Sequence, residues 1–138
     1  MSNLETTQQI YEAFGRGDVP AILQRLAPDV AWEDFADSTA QAAGVPWLAR
    51  RNSPDEVGQF FGLIGNGDLV VSDFQVLGLT GGTGDKVAVE CVIEATVAAT
   101  GKTFRDEELH LWTFDDAGRV VAMRHYVDTA KHIAASTD

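Results

Sequence analysis

The 138-residue sequence has few residues of the kinds that mark secreted, membrane or nucleic-acid-binding proteins. Its single cysteine, Cys91, cannot form a disulfide within the chain, so a reduced, cytoplasmic setting is expected. Ten scattered basic residues stand against 21 acidic ones, and the formal charge of −11 argues against binding to nucleic acid or anionic lipid. No apolar run approaches a membrane span, and the polar stretch MSNLETTQQI carries no export signal.

What the sequence does contain suits one globular domain, residues 1–138, with one core, because 45% of its residues are apolar. Capping residues predict the helices. Ser2 begins a helix over residues 3–15, Asp18 caps a second one that Pro28 ends, and Ser53 begins a third. Between the second and third helices we predict a short strand at residues 30–35 and an irregular loop at residues 36–52.

After Gly67 the apolar period changes from helical to two, which predicts β-strands joined by hairpins. The four predicted strands cover residues 69–79, 86–98, 103–114 and 119–127. A short last helix follows from about Thr129, with Asp128 as its cap. The order of elements predicts an α+β fold in which helices pack on one face of an antiparallel sheet.

Three stretches resemble the ketosteroid isomerase and SnoaL-like polyketide cyclase group, within the nuclear transport factor two-like fold. They are GDVPAILQRLAPDVAWED at 17–34, SPDEVGQFF at 53–61 and HLWTFDDAGRVVAMRHYVDT at 110–129. The resemblance implies a cone-shaped barrel, made of a strongly curved antiparallel sheet wrapped around N-terminal helices, with one deep, mostly apolar pocket. It also implies a homodimer through the outer face of the sheet and a small hydrophobic molecule as ligand.

Strand alternation assigns side chains to the two faces of the sheet. In the strand at 103–114, His110 lies on the same side as Glu108 and Trp112, while Leu109 lies on the other side. By the resemblance, the side that contains His110 faces the pocket and Leu109 faces a dimer partner. The residues expected to contact substrate are Trp32, Trp47, Phe61, Glu108, Trp112, Met123 and His125.

Two residues are candidates for catalysis by position. Asp34 matches the catalytic aspartate of the isomerase, and a carboxylate in a dry pocket can act as a base near neutral pH. The alternative is an exposed acid at a strand end. His110 matches the position of the isomerase's hydrogen-bond-donating acid and of a histidine in the cyclases. It can donate to a developing enolate or shuttle a proton, or else be a buried structural imidazole bonded to Glu108.

Departures from the isomerase pattern argue against steroid isomerisation. The position of its oxyanion-hole tyrosine holds Ile10, with Tyr11 one residue away, and a second pocket tyrosine is replaced by Phe61. No metal-ligand spacing such as H-x-H occurs, so no metal and no cofactor are expected. Two functions remain open: a cofactor-free acid–base enzyme acting on an apolar carbonyl compound, and a binding module for a hydrophobic metabolite.

The segment at 36–52 is ten residues longer than in the isomerase pattern and contains Trp47, Arg50 and Arg51. Apolar residues on a loop beside a pocket suggest a lid, with an arginine available to a ligand. The alternative is a loop that packs Trp47 onto the domain or its dimer partner.

Overall fold

The computed structural model describes all 138 residues, and its longer helices begin at the predicted caps. Ser2 and Glu5 form a capping box at the first helix, and Ser53 Oγ accepts a hydrogen bond from the amide of Glu56 at 3.2 Å. The helices are α1 (Asn3–Gly15), α2 (Val19–Leu23), α3 (Thr39–Ala42), α4 (Pro54–Gly65) and α5 (Thr129–Ser136), with a 3₁₀ turn at Pro46–Leu48. No helix combines the length and apolar character that crossing a bilayer requires.

Five strands form one sheet in the order β1-β5-β4-β3-β2. They are β1 (Leu26–Trp32), β2 (Leu69–Gly81), β3 (Lys86–Val97), β4 (Thr103–Phe114) and β5 (Val120–Tyr126). The four later strands pair antiparallel as predicted, whereas β1 pairs parallel to β5, so the sheet is mixed. It curls without closing, and the fold is the expected α+β cone.

The chain from Asp18 to Phe35 differs from its prediction. Helix α2 ends at Leu23 instead of continuing to Pro28, and β1 starts at Leu26 rather than at residue 30. Leu26 pairs with Val120 of β5, so a contact distant in sequence overrides the local helical pattern. Pro28 is tolerated because β1 is an edge strand.

The segment at 36–52 is more ordered than the predicted loop. Ser38 Oγ accepts from the amide of Gln41 at 3.1 Å and caps α3, and the 3₁₀ turn follows. The side-chain amide nitrogen of Gln41, Nε2, donates to the backbone carbonyls of Glu33 and Leu48, at 2.7 and 3.1 Å. These bonds tie both ends of the segment to the body of the fold.

The predicted alternation along β4 is confirmed. Asp106, Glu108, His110 and Trp112 are all buried, whereas Leu109 between them is 36% exposed. The buried face of the sheet meets α1 and α4. Polar side chains of β4 therefore lie inside the cone.

Candidate functional site

A cavity lies between the inner face of the sheet and the helices. It has a volume of about 70 Å³, and 16 of the 20 side chains around it are hydrophobic. All the residues predicted to contact substrate line it, namely Trp32, Trp47, Phe61, Glu108, Trp112, Met123 and His125, together with His110. A mostly apolar wall with a few convergent polar groups is typical of a site for a small organic molecule.

Asp34 does not reach this cavity, and its expected placement in a dry pocket is wrong. Its side chain is 52% exposed and pairs with Arg50, with Oδ1 2.9 Å from the guanidinium. The preceding residue, Glu33, is buried instead. Glu33 has a φ of 59°, in the left-handed region, and this turn of the backbone after β1 exchanges the sides on which the two acids lie.

Glu33 holds His125 in the cavity wall. Its Oε1 accepts from both the backbone amide and the ring Nδ1 of His125, and the other ring nitrogen, Nε2, makes no hydrogen bond to the protein. Burial disfavours a charged imidazole, but the charge and the hydrogen bond of Glu33 outweigh it and raise the pKa of His125. His125 is thus prepared to carry a proton on its free nitrogen.

His110 has the opposite environment. Its ring lies edge to face with that of His125, with centroids 4.4 Å apart. Burial and the nearby positive charge of His125 lower the pKa of His110, and the hydrogen bond to Glu108 only partly offsets them. The surroundings therefore favour the neutral form of one imidazole and the charged form of the other.

Tyr11 supplies a hydroxyl to the cavity, although the position of the isomerase tyrosine holds Ile10. Its oxygen lies 2.6 Å from His110 Nδ1 and accepts from Trp112 Nε1 at 3.0 Å. The rotation of one residue around α1 does not remove it from the site, because Tyr11 reaches the sheet from the neighbouring face of the helix. Burial raises the pKa of Tyr11 well above its usual range, so the phenol stays protonated.

Glu108 lies beyond His110 and connects it to the last helix. Its Oε1 is 3.0 Å from His110 Nε2, and its Oε2 is 3.1 Å from Nε2 of His132. Burial disfavours the charged carboxylate, but the hydrogen bonds from the two histidines prevail and lower the pKa of Glu108. His132 also faces Asp106 Oδ2 at 2.8 Å.

Sequence reasoning missed Glu33, Tyr11 and His132. The alternation along β4 placed Asp106 on the inner face, but nothing local indicates that helix α5 would bring His132 to it. All three histidines of the chain join this hydrogen-bonded and stacked cluster, which a count of histidines alone does not reveal.

Two groups of side chains come close enough to share a cation: Cys91, Glu108 and His110, and Asp106, Glu108 and His132. Burial raises the pKa of Cys91 to about 12, so this group is a thiol and a poor ligand. In the second group, Trp47 Nε1 donates to His132 Nδ1 at 2.9 Å. The neutral imidazole then keeps its hydrogen on Nε2, which has no lone pair left for a metal.

The segment at 36–52 packs against the domain. Val45, Trp47 and Leu48 are buried, and Trp47 stacks on Phe104 with ring centroids 6.2 Å apart. Arg51 is buried too and donates to backbone carbonyls of its own segment rather than pointing into the cavity.

Comparison with known proteins agrees with this geometry. The family model of the SnoaL-like domain matches residues 7–123. Comparison with curated proteins gives no match. An NTF2-like protein from Burkholderia thailandensis is 25% identical with a TM-score of 0.82, and the match covers 100% of this chain and 99% of that one.

Two further solved structures share the fold. Rv0760c from Mycobacterium tuberculosis, in complex with estradiol-17β-hemisuccinate, is 19% identical with a TM-score of 0.71, over 95% of this chain and 98% of that one. A Mesorhizobium loti protein described as a SnoaL-like polyketide cyclase is 20% identical with a TM-score of 0.70, over 91% and 99% of the two chains. Because the family model covers most of its length, the chain belongs to the SnoaL-like domain family.

Proposed function

We propose that the protein is a cofactor-free enzyme that moves a proton next to a carbonyl group of a small, largely apolar substrate. The observation that carries this proposal is the pair of imidazoles in the cavity wall, His110 and His125, whose surroundings shift their pKa values in opposite directions. Two titratable groups held apart in this way are typical of an acid and a base that work together.

His125 takes the part of the acid. Its charged ring, oriented by Glu33, donates from Nε2 to the carbonyl oxygen of the substrate, where negative charge develops as the neighbouring carbon loses a proton. The carboxyl group of Glu33 lies against the imidazolium and balances its charge. This arrangement replaces the sequence-based hypothesis in which His110 donates to the oxygen.

Tyr11 and His110 together take the part of the base. The Tyr11 oxygen accepts the proton from carbon while its own hydroxyl proton passes to Nδ1 of His110, 2.6 Å away. Trp112 can only donate and occupies one lone pair of the Tyr11 oxygen, and the hydrogen bond from Nε2 of His110 to Glu108 leaves Nδ1 as the acceptor for the Tyr11 hydroxyl. Return of the proton to a different carbon completes an isomerisation, and attack by the enol carbon on an electrophile completes a ring closure.

The apolar lining and the steroid ester bound by Rv0760c support an apolar carbonyl compound as the ligand class. The same two observations support a second candidate function, a binding module that holds a hydrophobic metabolite without chemistry.

We also propose that the single domain forms a homodimer through the outer face of the sheet, where Leu77, Leu109 and Tyr126 are exposed.

Hydrogen exchange into 2-tetralone, a small bicyclic ketone, tests the proposal. In D₂O the protein is expected to speed deuterium uptake at the carbons next to the carbonyl, as followed by mass spectrometry. His125→Gln and Glu33→Gln are each expected to slow this uptake by roughly 10²-fold, which is the usual contribution of a general acid. Asp34→Asn is the matched control and should leave the rate unchanged, because Asp34 lies outside the cavity.

An equal loss of rate in Asp34→Asn would contradict the assignment of Glu33. If the ketone shifts the NMR signals of His125 but gains no deuterium above the buffer rate, the binding module is the better description.

A further inference from the structure

A second pair of acid and imidazole lies beside the cavity and takes no part in the proposed reaction. Asp106 on β4 and His132 on α5 are both buried, with Oδ2 and Nε2 2.8 Å apart. Phe104 packs its ring on that of His132, with centroids 4.5 Å apart. Buried polar groups that are fully hydrogen-bonded fix a single arrangement of the core around them.

Trp47 decides which nitrogen of His132 carries hydrogen. The indole Nε1 can only donate, and it lies 2.9 Å from His132 Nδ1, which must therefore present a lone pair. The neutral ring keeps its hydrogen on Nε2. That hydrogen faces two carboxylates, Asp106 at 2.8 Å and Glu108 at 3.1 Å.

Glu108 connects His132 to His110 in the cavity wall. Its Oε2 lies 3.1 Å from Nε2 of His132, and its Oε1 accepts a hydrogen bond from Nε2 of His110 at 3.0 Å. His110 therefore holds its hydrogen on Nε2 and keeps the Nδ1 lone pair for the hydroxyl of Tyr11. The titratable groups that interact with Glu108 are Tyr11, Cys91, Asp106, His110, His125 and His132.

We propose that His132, held by Trp47, is a positioning residue that keeps Glu108 ionised and thereby fixes the tautomer of His110. The tautomer of His110 is a property of the folded protein without substrate. Only the consequence of that tautomer for catalysis rests on the proposed function. Without the His132 N–H, which lies 3.1 Å from Oε2, the buried carboxylate of Glu108 loses part of what offsets its burial and takes a proton from solvent. Glu108 then donates to Nε2 of His110, and the imidazole hydrogen moves to Nδ1.

The reversed tautomer disables the base. With hydrogen on Nδ1, His110 donates to the Tyr11 oxygen, which already accepts from Trp112. Tyr11 then has no acceptor for its own proton at His110, so it cannot relay a proton from the substrate. His132 thus acts on the reaction through two intervening side chains, Glu108 and His110.

Nitrogen NMR of the full-length protein tests the proposal, since protonated and bare ring nitrogens of histidine have well-separated ¹⁵N shifts. His132→Gln retains an N–H donor toward the two carboxylates, and His132→Leu retains the bulk without a donor. In the wild type and in His132→Gln we expect His110 to be protonated on Nε2. In His132→Leu we expect the proton of His110 on Nδ1. If the proton stays on Nε2 in this variant, the proposal is overturned.

Thr100→Val is the control for loosening of α5. It removes the hydrogen bond from Thr100 to the carbonyl of Ala135, another tie between α5 and the sheet, without contact with the buried acids. His110 should keep its hydrogen on Nε2 in this variant. A shift there equal to that in His132→Leu would overturn the proposal, because helix packing would then set the tautomer.

Trp47→Phe covers the case in which His132→Leu does not fold. Loss of the indole donor releases Nδ1 of His132, and we expect that nitrogen to become protonated in part of the molecules; an unchanged spectrum would overturn the role of Trp47. Deuterium uptake by 2-tetralone is measured separately. If the wild type shows no uptake while His132→Leu still shows the tautomer shift, that result would support the positioning role and leave only the proposed function without support.

Discussion

The left-handed backbone at Glu33 determines which of the two neighbouring acids is buried against His125. A non-glycine residue with positive φ is uncommon, and such residues gather where a site requires a particular side-chain direction. Two contacts stabilise this turn: the Glu33 amide donates to the Met123 carbonyl at 2.9 Å, and the Glu33 carboxylate accepts from His125. The interaction with His125 is thus both the reason for the turn and its functional result.

Glu33→Gln should destabilise the fold most at acidic pH. The pKa of His125 is raised in the folded protein, so the protonated ring adds stability that is fully present below the unfolded value of about 6.5 and is lost as the pH rises through the folded value. Gln removes the carboxylate that raises this pKa. Urea unfolding should therefore show a loss of about 1–3 kcal/mol near pH 5.5 that shrinks as the pH rises through the folded pKa of His125.

Asp34→Asn is the neighbouring control for that experiment. Its ion pair with Arg50 is exposed, and such pairs contribute at most about 1 kcal/mol. A loss in Glu33→Gln that does not vary with pH would mean that Glu33 acts only through packing and not through the charge of His125.

At the scale of elements, the chain from Ala36 to Asn52 is held by backbone acceptors and one buried cation. Arg51 donates to the carbonyls of Ala49 and Pro46 at 3.1 and 3.2 Å, and the backbone of Arg51 pairs with that of Trp32 in β1. Burial lowers the pKa of Arg51, and the charge of Glu33 works in the opposite direction. The segment is therefore anchored from the same strand end that carries the acid of the site.

Arg51→Met should loosen this segment without unfolding the sheet. The change leaves two carbonyls without their donors, which costs about 1–3 kcal/mol. Hydrogen exchange of the Val45 and Leu48 amides, both bonded within the segment, should become faster. Arg50→Met, at an exposed neighbour, should change stability by less than about 0.5 kcal/mol. Equal effects of the two substitutions would contradict the anchoring role of Arg51.

Elements whose signals are local could be predicted from the sequence. The caps at Ser2 and Ser53 and the alternation along β4 gave the helix starts and the inner face of the sheet correctly. The parallel pairing of Leu26 with Val120 could not be predicted, because it joins residues far apart in the chain. Nor could the inward turn of Glu33, which depends on one dihedral angle that Met123 and His125 stabilise from another strand.

At the scale of the whole molecule, the outer face of the sheet carries the exposed apolar residues that the cavity does not use. Leu109 on β4 pairs with Tyr126 on β5 and with Glu90 on β3, and Leu77 is exposed on β2 beside them. Specific dimers bury about 1,200–2,000 Å² around such an apolar centre. Each chain also carries a charge of −11, so repulsion opposes association of two copies.

Leu109→Glu should convert the proposed dimer to a monomer in sedimentation experiments. Val70→Glu is the control, because Val70 is 48% exposed and pairs with Thr96, six residues along β3 from Glu90, or about 20 Å at the usual rise of a strand. This variant should remain a dimer.

Because salt screens the repulsion between the two acidic chains, the wild-type dimer should also tighten between 0.05 and 0.5 M NaCl, on the order of tenfold. A wild type that sediments as a monomer at both salt concentrations would refute the dimer, and equal dissociation of the two variants would place the contact elsewhere.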